Sequence, residues 1–497
     1  MTDATAPETI KGGGAKPLFS TGYKSVVLSL LLAAYTFNFI DRTILATIGP
    51  QIAEELKLDN TQLGLLGGLY FALLYTLLGI PIARLAERFS RVNIITAAIV
   101  IWSGFTALCG TAGNFAMLAL YRFGVGVGEA GLSLPAHSLI SDFYEPKKRA
   151  SALAVYSFGI PLGAMLGAII GGQMLDHFTW RAAFMLVGVP GLLVALAIKL
   201  LVREPPRGHS EAEGFVATPP PPLSAELSEM WAVIKALFGN WPVANMVIGM
   251  TLVSFAGYGG GQFAPPYFIR AFGLSYGQVG LIIGLVAGLG NGIGTLIGGP
   301  LTDRLSRVGP MWYALVPAIG VTIAYPLVVG VYTASSWQVA TAFILLPGLA
   351  AYAYLGPTFG VVQNMAPTHQ RATAAAVMLF FVNLIALGGG PPFTGWLIDH
   401  FAAFHLANPD QGGFLAAMGG IFGADPATFQ TACPGGAAPA AAGATAAASC
   451  HGALVLATRQ GIILSYGFYL WGALHYVLAA FGLKEAMAKA RAARGEA

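Results

Sequence analysis

The sequence predicts an all-α membrane protein: twelve transmembrane helices in two six-helix halves that run in the same direction. Three observations carry that expectation. The 497 residues are 56% hydrophobic and only 10% charged, with a mean hydropathy of +0.69, whereas a soluble globular domain carries about 25% charged residues. The chain also repeats itself. Ala83-Arg84-Leu85-Ala86-Glu87-Arg88-Phe89-Ser90-Arg91 is echoed by Gly299-Pro300-Leu301-Thr302-Asp303-Arg304-Leu305-Ser306-Arg307; Arg149-Ala150-Ser151-Ala152 by Arg371-Ala372-Thr373-Ala374; and Asp176-His177-Phe178 by Asp399-His400-Phe401, in the same order. Finally, the basic residues are one-sided. Lys57, Arg181, Arg270 and Arg459 fall on one side, Arg42 and Arg122 lie within spans, and the rest fall on the side of the two termini.

Each span needs roughly 20 apolar residues. The chain supplies them at 24–49, 62–83, 92–111, 115–140, 150–175 and 182–202, then at 242–269, 277–301, 311–331, 337–364, 372–398 and 460–482. The 65 glycines and 30 prolines fit, since both are commoner in membrane helices than in soluble ones. The positive-inside rule puts both termini in the cytosol, as expected of a multi-pass protein of the cell (inner) membrane. The polar start, Met1 to Lys24, lacks the layout of a cleavable signal peptide, so the first span is expected to act as its own insertion signal.

The domain organisation follows. A cytosolic tail (1–22) precedes the first half (23–202). A cytosolic linker (203–240) contains the run Pro219-Pro220-Pro221-Pro222 and a short amphipathic helix, Leu223 to Phe238, expected on the membrane surface. The second half (241–482) includes a long outer loop, 399–459, and a basic tail (483–497) suited to anionic headgroups closes the chain. The outer loop's run Gly435 to Ala444 is low in complexity and is not expected to build a core. It reads as a tolerated, partly mobile insertion, with a gate or partner contact as the alternative. Cys433 and Cys450 lie in this loop, where a disulfide is open; Cys109 reads as a packing residue. No metal or cofactor site is expected, and the net charge of +4 reflects topology rather than nucleic-acid binding.

Ionisable residues deep in spans cost roughly 2.5–3.5 kcal/mol each on insertion scales, so the four kept here need a reason. Asp41 and Arg42 lie on span 1, Arg122 and Glu129 on span 4. At 1.5 Å per residue, Asp41 stands about 25 Å, Glu129 about 20 Å and Arg122 about 30 Å above the cytosolic end. Arg122 and Glu129 share a helical face. A proton relay is the functional reading: Arg122 would serve Asp41 and Glu129 in turn as the halves rock, and a buried carboxylate gains or sheds its proton according to whether desolvation or the neighbouring guanidinium dominates. A static lock between two helices is the alternative. Arg42 points about 100° away from Asp41, where a guanidinium can pair with a phosphate or carboxylate headgroup; its alternative is pairing with Asp41 or Glu129 alone. The glycine run Gly124-Val125-Gly126-Val127-Gly128 follows no strand, so it allows close helix approach and is no nucleotide loop. His137 reads as packing more readily than as a relay member.

The repeated loops carry Glu87, Arg88 and Arg91 in one half and Asp303, Arg304 and Arg307 in the other. A carboxylate there can brace a facing helix N-terminus and close an inner gate; plain topological anchoring is the bland alternative. Breaks at Gly159-Ile160-Pro161-Leu162-Gly163, Gly171-Gly172, Gly388 to Pro392 and Gly257 to Pro266 read as flexible outer ends.

These motifs are similar to those of the major facilitator superfamily. The loop motif Gly-x-Leu-x-Asp-Arg-x-Gly-Arg is matched at Ala83 to Arg91 with three departures, Ala83, Glu87 and Ser90, and its second copy restores Gly299 and Asp303. The helix 4 motif Arg-x-x-x-Gly-x-Gly fits Arg122, Gly126 and Gly128. Within the superfamily, Asn38-Phe39-Ile40-Asp41-Arg42 resembles the Asn-x-x-Asp-Arg signature of the Spinster family, as do Gly124 to Ala130 and Pro135. The resemblance implies the major facilitator fold and a proton-linked carrier of lysolipids with an amphipathic, anionic substrate. It places Asp41, Arg42, Arg122 and Glu129 in the family's working positions. The long outer loop departs from the family pattern, and the short termini and alanine-rich composition look bacterial.

The expectation is a monomeric secondary active transporter that moves a lysolipid-like substrate by proton-coupled alternating access. Asp41, Glu129 and Arg122 would couple protons, and Arg42, Asn38, Tyr258, Gln262 and Asn383 would bind substrate with aromatics such as Phe37 and Phe380. A drug, organic-anion or sugar carrier is the rival; a membrane enzyme or receptor is the rival of another class. No nucleophile–base pair stands within the spans.

Overall fold

The computed structural model describes residues 18–210, 223–367 and 370–493; Pro219 to Pro222 and nearly all of the expected tail 1–22 lie outside them. Among the described residues the chain is helical, with no strand. Twelve helices are long and apolar enough to cross a bilayer: α1 (Thr21–Leu56), α2 (Asn60–Arg88), α3 (Arg91–Cys109), α4 (Phe115–Phe143), α5 (Ser151–Leu175), α6 (Trp180–Leu201), α7 (Trp241–Phe272), α8 (Tyr276–Leu305), α9 (Trp312–Thr333), α10 (Trp337–Met365), α11 (Thr373–Ala407) and α12 (Ala440–Ala480). Both described ends lie on one face, the terminal face. The surface helix Leu223–Gly239 sits there too, burying Val233 and Leu237 and setting Phe238 against Phe381.

The duplication is visible in the helix starts. At α2, the Asp59 side chain accepts from the Gln62 backbone while Gln62 reaches back; at α8, Ser275 and Gln278 do the same. Both starts are capping boxes, which satisfy orphan N–H donors reciprocally.

The apolar core falls into three clusters. One lies within the first half apart from Leu387, and one lies within the second. The third joins the halves at the face opposite the termini, bringing Ile48, Ile52 and Leu66 together with Phe263, Val279 and Phe401. The most extensive helix pairs that pack half against half, α2 with α11 and α5 with α8, lie toward this capped face.

Two expectations change here. The outer loop is shorter and better built than the sequence implied, because α11 runs on to Ala407 and the last span becomes helical at Gly443. Between them lie short helices at Phe414–Gly420 and Pro426–Ala432. A Cys433–Cys450 disulfide ties the segment to α12, while Phe429, Cys433 and Ile421 are buried in the joint core. At the start of the low-complexity run a small residue allows close approach. Gly435, at φ +70°, lies against the Ala53 carbonyl and Glu54, where a side chain would have no room. The expected hinges differ as well. α7 is continuous through Pro265 and Pro266, and α11 passes Pro391 and Pro392 after a wide π-helical turn at Val382–Leu387, a form found often at functional sites. Gly64 packs against Pro391, Gly68 against the Leu387 carbonyl and Gly395 against Asn60. These glycines fit one half into the other.

Candidate functional site

Asp41, Arg122 and Glu129 are each 1% exposed, although nothing in an apolar bilayer would stabilise them singly. α1 and α4 solve this by pairing. Arg122 Nη1 stands 3.5 Å from Asp41 Oδ1, and its Nε donates to the Leu66 carbonyl at 3.2 Å. Asp41 also accepts from the Thr106 hydroxyl on α3. Arg42 Nε donates to Glu129 Oε2 at 2.6 Å, and its guanidinium lies 4.4 Å from the Tyr75 ring centre and 4.9 Å from those of Phe39 and Phe71. Such cation–π contacts suit a desolvated arginine.

Each acid therefore has its own arginine. The sequence argument for one arginine shared between two acids does not describe this state, because adjacent residues on α1 diverge around the helix and meet different parts of α4. Small residues seat α4 against α2 and α3: Gly126 lies against the Phe71 backbone and Gly128 against Trp102. Beside the pairs, Glu129 Oε1 and both amide atoms of Asn38 are buried without a hydrogen-bond partner among the described residues. His137 packs edge-on to Tyr156, which stacks on Tyr35.

The capped face holds a second polar arrangement. Asp399 Oδ1 accepts from Asn60 N and Nδ2 at 3.0 and 2.8 Å, and its Oδ2 from Thr61 N and Oγ1 at 2.8 and 2.6 Å. Asp176 Oδ2 accepts from Ser275 Oγ and Gly277 N, both at 3.0 Å. In both cases a carboxylate, Asp176 just past α5 or Asp399 within α11, sits on the N-terminus of a helix in the opposite half, where the helix dipole favours negative charge. The segment after α11 adds a third tie, with Gln430 Nε2 donating to the Lys57 carbonyl at 2.6 Å.

This geometry can be set beside known proteins. The family model "Major Facilitator Superfamily" matches residues 31–391. A solved bacterial homologue of the human lysosomal transporter Spinster, in an inward-facing, unoccupied conformation, is 30% identical with a TM-score of 0.79, covering 94% of this chain and 99% of that one. This chain belongs to the Spinster family of the major facilitator superfamily. Protein spinster homolog 1 of Homo sapiens is 27% identical over 404 residues, 76% of this chain and 74% of that protein. An MFS-type efflux pump of Mycolicibacterium smegmatis is 29% identical over 379 residues, 75% of this chain and 84% of that protein.

In this transporter the remaining substrate residues singled out by sequence lie on α7 and α11. Tyr258 is 42% exposed on α7. Gln262 lies against Gly67 of the other half, and Asn383 is half-buried on the wide turn of α11. No hydrogen bond joins these three to Arg42 or Asn38 among the described residues. At the terminal face Glu87, Arg88, Asp303, Arg304 and Arg307 are exposed. Glu87 faces Arg84 at 3.6 Å and Asp303 accepts from Tyr313 Oη at 3.2 Å, each within its own half.

Arg91 differs from its motif neighbours. It is 1% exposed and holds Asp142, Glu204 Oε1 at 2.7 Å, the Ser138 hydroxyl at 3.0 Å and the Pro205 carbonyl at 3.1 Å. Burial alone would raise the Glu204 carboxyl. Hydrogen bonds from the Val92 N–H, the Arg91 guanidinium and the Ser90 hydroxyl outweigh that and hold it below its ordinary range. Arg91 thus fastens the start of the linker to the first half, a contact that a loop motif read alone does not reveal. The carboxylates Asp176 and Asp399, which tie the halves together, were legible only as part of the repeat.

Proposed function

We propose that this transporter carries an amphipathic, anionic, lysolipid-like substrate by proton-coupled alternating access, with both termini cytosolic in the cell membrane and a monomer as the working unit. The pairing of Arg42 with Glu129 carries the reading. A proton on Glu129 frees Arg42 for an anionic headgroup, and an anion on Arg42 favours the proton on Glu129, since linked binding is reciprocal. The unpartnered Asn38 amide supplies further hydrogen-bonding capacity beside them. Tyr258, Gln262, Asn383 and aromatics such as Phe37 and Phe380 receive the rest of the substrate. Asp41, held by Arg122, is the second proton site, and its release from Arg122 accompanies the rocking of the halves. Glu87, Arg88, Asp303, Arg304 and Arg307 meet the opposite half when the terminal face closes.

The test is a set of spin-label distances across both faces, from about pH 4 to about pH 9 to span the carboxylate and imidazole range. Wild type, Asp41→Asn and Glu129→Gln are compared with and without lysophospholipid. A pH-driven exchange between two distance populations, lost in the variants, is the expected result. Distances that follow lipid but ignore pH would leave a uniporter with structural acids. The relative named as an efflux pump supports a second reading, export of an amphipathic drug; competition of such compounds with lysophospholipid for one site separates the two.

A further inference from the structure

The capped face presents one surface that neither the gate nor the buried pairs use. After α11 ends at Ala407 the chain turns back, and helix Phe414–Gly420 with the following turn Ile421–Gly423 lies alongside α11. Its inner side is seated: Ala417 and Ile421 are buried, and Gly420 lies against the Phe404 ring. Its outer side is apolar and open, with Leu415 and Phe422 each 84% exposed. From Gln411 to Ala424 there is no charged residue.

Depth decides what covers that side. The level of the polar boundary is marked by Asp399 with Asn60 and Thr61 on one side of the molecule and by Asp176 with Ser275 on the other. Trp396 lies three residues before Asp399 on α11, about 4.5 Å nearer the middle of the span. The Phe422 ring centre is 6.4 Å from that of Trp396. The turn therefore descends past the end of α11 to the level where the apolar belt of the spans begins, and Trp396 is the residue type that gathers at that boundary. An uncharged helix with one seated and one open apolar side, at that height, meets headgroups and the first acyl carbons rather than water.

We propose that Phe414–Gly423 is a leaflet-seated helix that docks the capped segment into the bilayer at this face. Its partner is the glycerol and upper acyl region of the lipid leaflet, entered by Leu415 and Phe422. The same segment continues to Gln430 on the Lys57 carbonyl and to Cys433, bonded to Cys450, so the lipid surface is joined mechanically to the contact between the halves.

The test uses single spin labels at Leu415→Cys, Phe422→Cys and Asp410→Cys in the full chain reconstituted in phosphatidylcholine–phosphatidylglycerol vesicles. The Cys433–Cys450 bond is kept intact and verified by mass. Power saturation then compares access of oxygen with that of a water-soluble nickel chelate. The expected result is a several-fold higher oxygen-to-nickel ratio at 415 and 422 than at exposed Asp410, and an unchanged ratio at 410 when detergent replaces lipid. Aqueous ratios at both 415 and 422 would overturn the proposal. So would dipolar broadening between labels of two molecules, which would make this a contact between copies. These labels touch neither Arg42 nor Glu129, so the outcome is independent of the transport reading.

Discussion

Asp176 and Asp399 do the same work from opposite halves: one just past the end of α5 and the other within α11, each caps the first turn of a helix in the other half. The duplicated Asp-His-Phe sequences place them, and the duplicated capping boxes at Asn60 and Tyr276 receive them. The match is not symmetric in strength, because Asp399 accepts four hydrogen bonds and Asp176 two.

Replacing Asp399 by Ala should therefore open the capped face more than Asp176→Ala. A hydrogen bond to a charged group contributes about 1.5–3 kcal/mol, and about 1.4 kcal/mol is tenfold in an equilibrium. Distances between labels on α2 and α11 should show the closed population falling at least tenfold relative to the open one in Asp399→Ala. An unchanged distribution would show that the apolar core alone holds this face shut.

Arg42→Met should destabilise the fold by about 3–5 kcal/mol where Glu129 stays charged and buried without its partner, and by less as pH falls and Glu129 takes up a proton. The double variant Arg42→Met/Glu129→Gln should recover thermal stability and still fail to transport. If it transports normally, the pair is only a lock.

Asp41→Asn should keep the Thr106 contact, since an amide oxygen can also accept it, and should lose the ion pair to Arg122. Melting should fall by an amount comparable to Arg42→Met, because Arg122 stays charged and buried without its partner, while the dependence of conformation on pH flattens. That melting loss with the pH response intact would reverse the roles assigned to the two residues.

The linker staple should weaken in acid. The folded Glu204 carboxyl lies below its ordinary range, so its contribution is fully present above the unfolded value of about 4.3 and is lost as pH falls through the lower folded value. Hydrogen exchange at 203–210 should accelerate below about pH 4, and Glu204→Gln should show the faster exchange already at neutral pH.

Reducing Cys433–Cys450 should free the capped segment. The bonded cysteines are 17 residues apart, and closing a loop of that size is worth about 3 kcal/mol. Limited proteolysis should cut within 408–442 only after reduction or in Cys450→Ser. Equal resistance in both forms would mean that burial of Phe429 and Ile421 suffices.

Much of the architecture was legible because a bilayer leaves few options: backbone groups must be satisfied within each span, so apolar run length reads directly as helices. The extent of α11 and α12 was not legible, since their extra turns pack against the capped segment rather than lipid. The run Gly435 to Ala444 resembled a tether because its small residues contribute no core of their own; Gly435 alone is buried, against the end of α1, while Pro439 to Ala444 stay exposed.

By itself the sequence determined the twelve spans, the parallel duplication and the four ionisable residues in α1 and α4, because hydropathy, repetition and charge are local properties. Tertiary structure decided which arginine serves which acid, that Arg91 holds the linker, and that Asp176 and Asp399 fasten the capped face. Those outcomes depend on how far around a helix a side chain points and on which helix lies opposite, and neither is written in any one segment.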